Sequence, residues 1–210
     1  MKYILVRHVE TFGNVEGRLN GHTESDYTEY GKKMKALLIR ELVAIHKKTP
    51  IDEVYASPIK RAYYIGKDTA GRIGVPFKTD DVLKEFNFGI FDGLTAAEAE
   101  IKSPEVWNAW MADYNHVFLP EGENYSIYHD RLKNFLKDHA EEHTDKTVLI
   151  VAHGGTVHSL LVNLLELPLE SKWHFNIKLG SITVVNCPEG YGMLETLYTP
   201  DYDQLKMNEK

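Results

Sequence analysis

The chain has 210 residues, 43% of them hydrophobic, enough to bury a full core, and its length favours one domain with a modest insertion over two. A formal net charge of -7 with no run of basic residues argues against nucleic acid or an anionic membrane as the main partner, so any anion site has to be a local positive pocket. Cys187 is the single cysteine, which excludes an intrachain disulfide and fits a reducing compartment. The apolar stretch Tyr3 to Val6 is cut by Arg7, too short for a signal-peptide core or a spanning helix, so a cytoplasmic location is expected.

In chain order, Lys2 to Arg7 reads as a buried strand, and Gly13, Gly17 and Gly21 mark a long loop just beyond it. Thr28 is the expected N-cap of a helix whose stripe is Met34, Leu37, Leu38, Leu42 and Ile45, stopped by Pro50. Asp52 to Ala56 is a short strand. Ser57-Pro58 then reads as a helix start, a capping hydroxyl followed by proline, which puts Arg61 in the first turn. Val75 to Thr79 is a further short strand after the Gly74 turn. Residues 87–123, with Gly89, Gly93, Pro104, Pro120 and Gly122 and with Trp107 and Trp110 on a helix, look like an insertion or lid.

Ile127, Leu132, Phe135 and Leu136 space a helix over Tyr125 to Glu142, followed by a strand over Thr147 to Ala152. The helix after Gly155 carries Val157, Leu160, Leu161, Leu164 and Leu165, a broad apolar face that must pack on a sheet. Ser181 to Asn186 and Met193 to Tyr198, joined at residues 188–192, suit an antiparallel hairpin at a sheet edge, and a polar tail follows Pro200. The alternation predicts an α/β protein: a three-layer α/β/α sandwich whose sheet is mostly parallel with an antiparallel edge.

Two strands of one parallel sheet would deliver Arg7-His8 and His153-Gly154-Gly155 to the same edge, where open α/β folds place ligands. Gly154-Gly155-Thr156 opens a helix and exposes backbone N–H groups at its positive end. Arg7 and Arg61 each offer a planar fork of donors that matches phosphate oxygens. A cation at a helix start opposes the macrodipole, so Arg61 there calls for an anionic partner. A neutral imidazole held at one nitrogen can attack phosphorus with the other, which makes either His8 or His153 a possible phosphohistidine. Glu85, among the apolar and aromatic residues of Leu83 to Phe88, is positioned to have a raised pKa and to protonate a leaving alkoxide.

Arg7-His8-Val9-Glu10-Thr11 with Asn14, Ser57-Pro58-Ile59-Lys60-Arg61-Ala62, Glu85 with Phe88-Gly89 and Asp92-Gly93, and Ala152-His153-Gly154-Gly155 occur in that order. Together they resemble the successive motifs of the histidine phosphatase (phosphoglycerate mutase-like) superfamily over most of the chain. The resemblance implies an α/β/α fold and a phosphohistidine intermediate formed without a metal or other cofactor. It makes His8 the nucleophile, Arg7, Arg61 and His153 the phosphate clamp, and Glu85 the proton donor. Asn14, Arg18, Asn20, Gly21 and Gly154 match the parts that line the phosphate and the adjoining substrate. The family usually has glycine where Val9 stands and an aromatic residue where Gly13 stands. Valine would be poorly tolerated if that position required positive φ.

The reading that follows is a phosphomonoesterase acting on a small phosphorylated metabolite, with residues 87–123 setting specificity. A cofactor-dependent phosphoglycerate mutase is the alternative, less favoured because the mutases usually carry a longer insertion after the acidic motif, whereas here Glu85 is followed by Phe88-Gly89 and Asp92-Gly93, as in the phosphatase branches. A module that binds a phosphorylated ligand without turnover is the third. Among the remaining candidates, Ser57 is expected to cap a helix, and His139 and His143 to stand on an exposed polar face. Cys187 is expected only to pack, and Trp107, Trp110, Tyr114 and Phe118 to be either core or substrate pocket.

Overall fold

The computed structural model describes residues 1–142 and 145–205, the side chains of Glu141 and Glu142 excepted. Six strands form one sheet in the order β3-β2-β4-β1-β5-β6. They are β1 (Lys2–Arg7), β2 (Glu53–Ala56), β3 (Phe77–Thr79), β4 (Thr147–Ala152), β5 (Ile182–Asn186) and β6 (Met193–Tyr198). β3, β2, β4 and β1 run parallel, while β5 lies antiparallel to β1 and β6 antiparallel to β5. The predicted α/β sandwich with an antiparallel edge is therefore the fold.

Strand alternation divides the core in two. Tyr3 and Leu5 of β1, with Val148, Ile150 and Ala152 of β4, point to one face; Ile4 and Val6, with Leu149 and Val151, point to the other. Helices α2 (Glu29–Lys48) and α3 (Lys60–Ile73) cover the second face through Met34, Leu38, Leu42, Ala62 and Ile65. Helices α6 (Tyr125–Glu142) and α7 (Gly154–Leu164) cover the first through Tyr128, Leu132, Phe135, Val157, Leu160 and Leu161. The central strands β1 and β4 are thus buried on both sides, which explains their unbroken Val, Ile and Leu runs, while the edge strand β3 is half-buried to exposed. Among the described residues no helix is long and apolar enough to cross a membrane.

Several local expectations are corrected. α3 begins at Lys60, with Ile59 rather than Ser57 at its N-cap position, and Arg61 still falls in its first turn. The strand expected from Val75 begins at Phe77, because its partner β2 starts only at Glu53 and pairs Val54 with Phe77. On α6, Ile127 is 51% exposed and Tyr128 takes its place in the core. His139 is buried against the rings of Tyr55, Tyr3 and Phe135 rather than standing on a polar face; its expected neighbour His143 lies outside the described residues.

The segment 87–123 contains two helices, α4 (Ala96–Lys102) and α5 (Pro104–Ala112), between α3 and α6 in the chain. Its ends are tied together: Asn87 N donates to Glu123 Oε1 at 2.8 Å, and Glu123 N donates to Asn87 O at 3.2 Å. Trp107 packs on Phe91 in the core, Trp110 stacks on Phe86, Tyr114 meets Trp173, and Phe118 is exposed.

Candidate active site

The register of β1 on β4 pairs Arg7 with Ala152, so both strands end level and each hands its next residue to the same sheet edge. His8 N donates to Ala152 O at 2.9 Å, and the His8 and His153 rings stand 5.4 Å apart at 62°. Both histidines are buried, and burial together with the Arg61 and Arg7 charges pushes both imidazoles well below their ordinary value of 6.5. Each ring is therefore neutral. His8 Nδ1 lies 2.7 Å from Val9 O, and a carbonyl only accepts, so Nδ1 carries the proton and Nε2 keeps its lone pair.

The arginines are held by backbone. Arg7 Nη1 donates to Ile177 O at 2.7 Å. Arg61, only 1% exposed, donates to Thr23 O, Asn20 O and Gly21 O at 2.7 to 2.9 Å. Burial lowers both guanidinium pKa values, and the nearby Glu85 carboxylate opposes this. Among the described residues no carboxylate accepts a hydrogen bond from either guanidinium, so their charge stays available to an anion. Among the described residues, Arg7 Nε, Arg61 Nε and His153 Nδ1 are buried with no hydrogen-bond partner, and such donors ask for an oxygen-rich ligand.

His153 Nε2 lies 2.8 Å from Ser57 Oγ, and that same oxygen accepts from Ile59 N at 3.3 Å. Ser57 thus secures a histidine from the end of β2 instead of capping α3.

Glu85 sits in polar company, not in the apolar pocket its neighbours suggest. Its Oε1 accepts from Tyr128 Oη at 2.6 Å and from Phe86 N at 2.9 Å, and its Oε2 accepts from Gly155 N at 2.9 Å. The glycine is required by this approach, since a Cβ on Gly155 would stand 2.5 Å from Glu85 Oε1. Gly154 also borders the cluster, less tightly, with a notional Cβ 3.2 Å from Arg7 Nε.

The remaining loop residues are placed as follows. Asn14 Oδ1 accepts from Thr11 N and Thr11 Oγ1, which closes the turn α1 (Phe12–Val15) after His8. Asn20 and Gly21 present their carbonyls to Arg61, and Gly21 N donates to Asp92 Oδ1 at 3.1 Å. Arg18 is engaged elsewhere, by Glu16, Glu98 and Gly93 O. The two departures from the family pattern have local reasons. Val9 is fully buried in the α2-side core and is not among the residues of positive φ, so its branched side chain is unstrained. Gly13 has no room for a ring because the Asn20 amide lies on it, 2.1 Å from where a Cβ would stand.

Sequence reasoning missed Tyr128, His22 and the anchoring role of Ser57. His22 Nε2 lies 3.1 Å from Glu85 O, and Tyr128 Oη also meets Thr156 Oγ1 at 2.8 Å. Only the helical period of α6 could have drawn attention to Tyr128, as a core position.

The pattern of the histidine phosphatase superfamily (branch 1) matches residues 3–199. The chain is 31% identical over 189 residues to Phosphoserine phosphatase 1 of Hydrogenobacter thermophilus, covering 90% of this chain and 88% of that protein. It is 34% identical over 169 residues to the Metal-independent phosphoserine phosphatase of Arabidopsis thaliana, covering 78% and 68%. The crystal structure of the Alpha-ribazole Phosphatase from Shigella flexneri superposes with a TM-score of 0.86 at 26% identity, covering 94% and 96%. The chain belongs to the histidine phosphatase superfamily, branch 1, and is a phosphomonoesterase.

Proposed function

We propose that this phosphomonoesterase works without a metal, through a phosphohistidine on His8, on a small phosphorylated metabolite. The observation that carries the reading is the His8 Nδ1 contact to Val9 O, which leaves Nε2 unprotonated beside the buried Arg61 and the half-buried Arg7. His8 Nε2 attacks phosphorus and the bond from phosphorus to the alcohol oxygen breaks. Glu85, entering as the acid, gives its proton to that oxygen and is left as the carboxylate. Water then attacks the phosphohistidine, Glu85 takes the water's proton, and inorganic phosphate leaves with His8 neutral again. Arg7, Arg61 and His153 hold the equatorial oxygens, where charge accumulates as the phosphoryl group passes. Asn14, Asn20, Gly21 and Gly154 line the cradle, and residues 87–123 form the lid that selects the alcohol.

Phosphoserine and alpha-ribazole phosphate, named for the relatives, are the first substrates to test. With radiolabelled substrate and chelator present, acid-labile label should appear on the wild type and be absent from His8→Ala. Label that persists in His8→Ala would refute the assignment. Interconversion of 2- and 3-phosphoglycerate after priming with the bisphosphate, with no phosphate released from a broad ester panel, would establish the mutase instead.

A further inference from the structure

Lys172 is the least expected buried charge in the protein. It is 1% exposed, and among the described residues its Nζ has no hydrogen-bond partner. It lies in the 3₁₀ turn Leu169–His174 between α7 and β5, and no family motif in the sequence contains it. Its Nζ stands 3.2 Å from the centroid of the Tyr125 ring, 4.5 Å from that of Tyr114 and 5.1 Å from that of Trp173. These are distances at which an ammonium is attracted by the negative face of a ring.

The Tyr125 ring connects this cation to Glu85. The ammonium lies 3.2 Å from the centroid of the ring, and Phe86 is stacked on the same ring at 5.6 Å and 28°. Phe86 follows Glu85 directly, its N–H donates to Glu85 Oε1, and Trp110 stacks on it at 6.5 Å. Tyr125 also packs edge-on against Tyr128 at 5.1 Å, and its hydroxyl reaches Gly155 O at 3.5 Å. Among the described residues, the three groups that donate to the Glu85 carboxylate, Phe86 N, Tyr128 Oη and Gly155 N, therefore belong to residues that touch Tyr125.

We propose that Lys172 is a positioning residue for the proton donor: its ammonium pins Tyr125, and the pinned ring holds the donors that orient Glu85. The inference rests on Glu85 as the acid. Burial, which pushes the Lys172 ammonium down to about 7, is opposed by the three ring faces and by Glu170.

The test compares kcat for the poorest leaving-group alkyl phosphate that the wild type hydrolyses with kcat for nitrophenyl phosphate, whose leaving group needs little protonation. Lys172→Met should lower the ratio of the two by about tenfold, with KM little changed, and Lys172→Arg should restore it. Should Lys172→Met not fold, Tyr125→Leu removes the pinned ring and is expected to lower the same ratio. An unchanged ratio in a folded Lys172→Met, a loss in Lys172→Arg as large as in Lys172→Met, or an effect confined to KM would each overturn the proposal. Glu85→Gln is measured alongside. If it leaves the ratio unchanged, the acid assignment fails and the positioning role falls with it; if it lowers the ratio and Lys172→Met does not, only the positioning role fails.

Discussion

At the scale of single residues, close approach matters more than side-chain chemistry at several positions. Gly155 is the clearest case, because its missing side chain lets a backbone N–H reach Glu85 Oε2 at 2.9 Å while Tyr128 reaches Oε1. Gly155→Ala must displace the carboxylate, and a displacement near 1 Å can cost about 10²-fold in rate. We expect kcat on alkyl phosphates to fall by roughly that factor with the fold intact by circular dichroism; wild-type turnover would show that Glu85 tolerates a different seat. The motif glycines, histidines and arginines were legible in the sequence. Tyr128 was not, because it holds Glu85 from 43 residues away and its own neighbourhood reads as an ordinary helix.

At the scale of elements, three strand ends build the site. β1 delivers Arg7 and His8, β4 delivers His153, and β2 ends at Ala56 and hands on Ser57, whose hydroxyl lies 2.8 Å from His153 Nε2. The register explains this: Ala56 pairs with Val151 and Ser57 N donates to Val151 O, so Ser57 stops beside the ring. Ser57→Ala would leave a buried imidazole nitrogen without its partner, a loss of about 1 to 3 kcal/mol. Urea unfolding should report a destabilisation of that size, and an unchanged midpoint would mean the hydroxyl does not hold the histidine. The Ser-Pro dipeptide reads as a helix start capped by Ser57, but the helix begins at Lys60 and the Ser57 hydroxyl serves a different strand. Helix signals describe the backbone locally and are silent on what lies across the sheet.

At the scale of the whole molecule, a net charge of -7 coexists with a pocket where Arg7 and Arg61, beside two neutral histidines, concentrate positive potential at the ends of the parallel strands. That arrangement has a consequence for stability. His8 and His153 stay neutral in the fold well below 6.5, while the unfolded chain protonates them near 6.5. Between the folded and unfolded values the unfolded state binds more protons, so stability is lost as pH falls below 6.5 and is recovered as pH rises to it. The melting temperature should drop between pH 6.5 and pH 5, with a shallower slope in His8→Asn; equal slopes would show that His8 is protonated in the fold.

The sequence by itself determined the alternation of strands and helices, the antiparallel edge, and the residue types at the ends of β1 and β4. These follow from local periodicity, turn chemistry and motif order, which are written along the chain. Only the tertiary structure decided that Ser57 holds His153 across 96 residues, that Asn20 occupies the space above Gly13, and that Glu85 is held by hydrogen bonds rather than by apolar walls. The same holds for Lys172 on the face of Tyr125. Those contacts join segments that share no period and no motif, so they exist only once the sheet's register and the packing of α6 and α7 have brought them together.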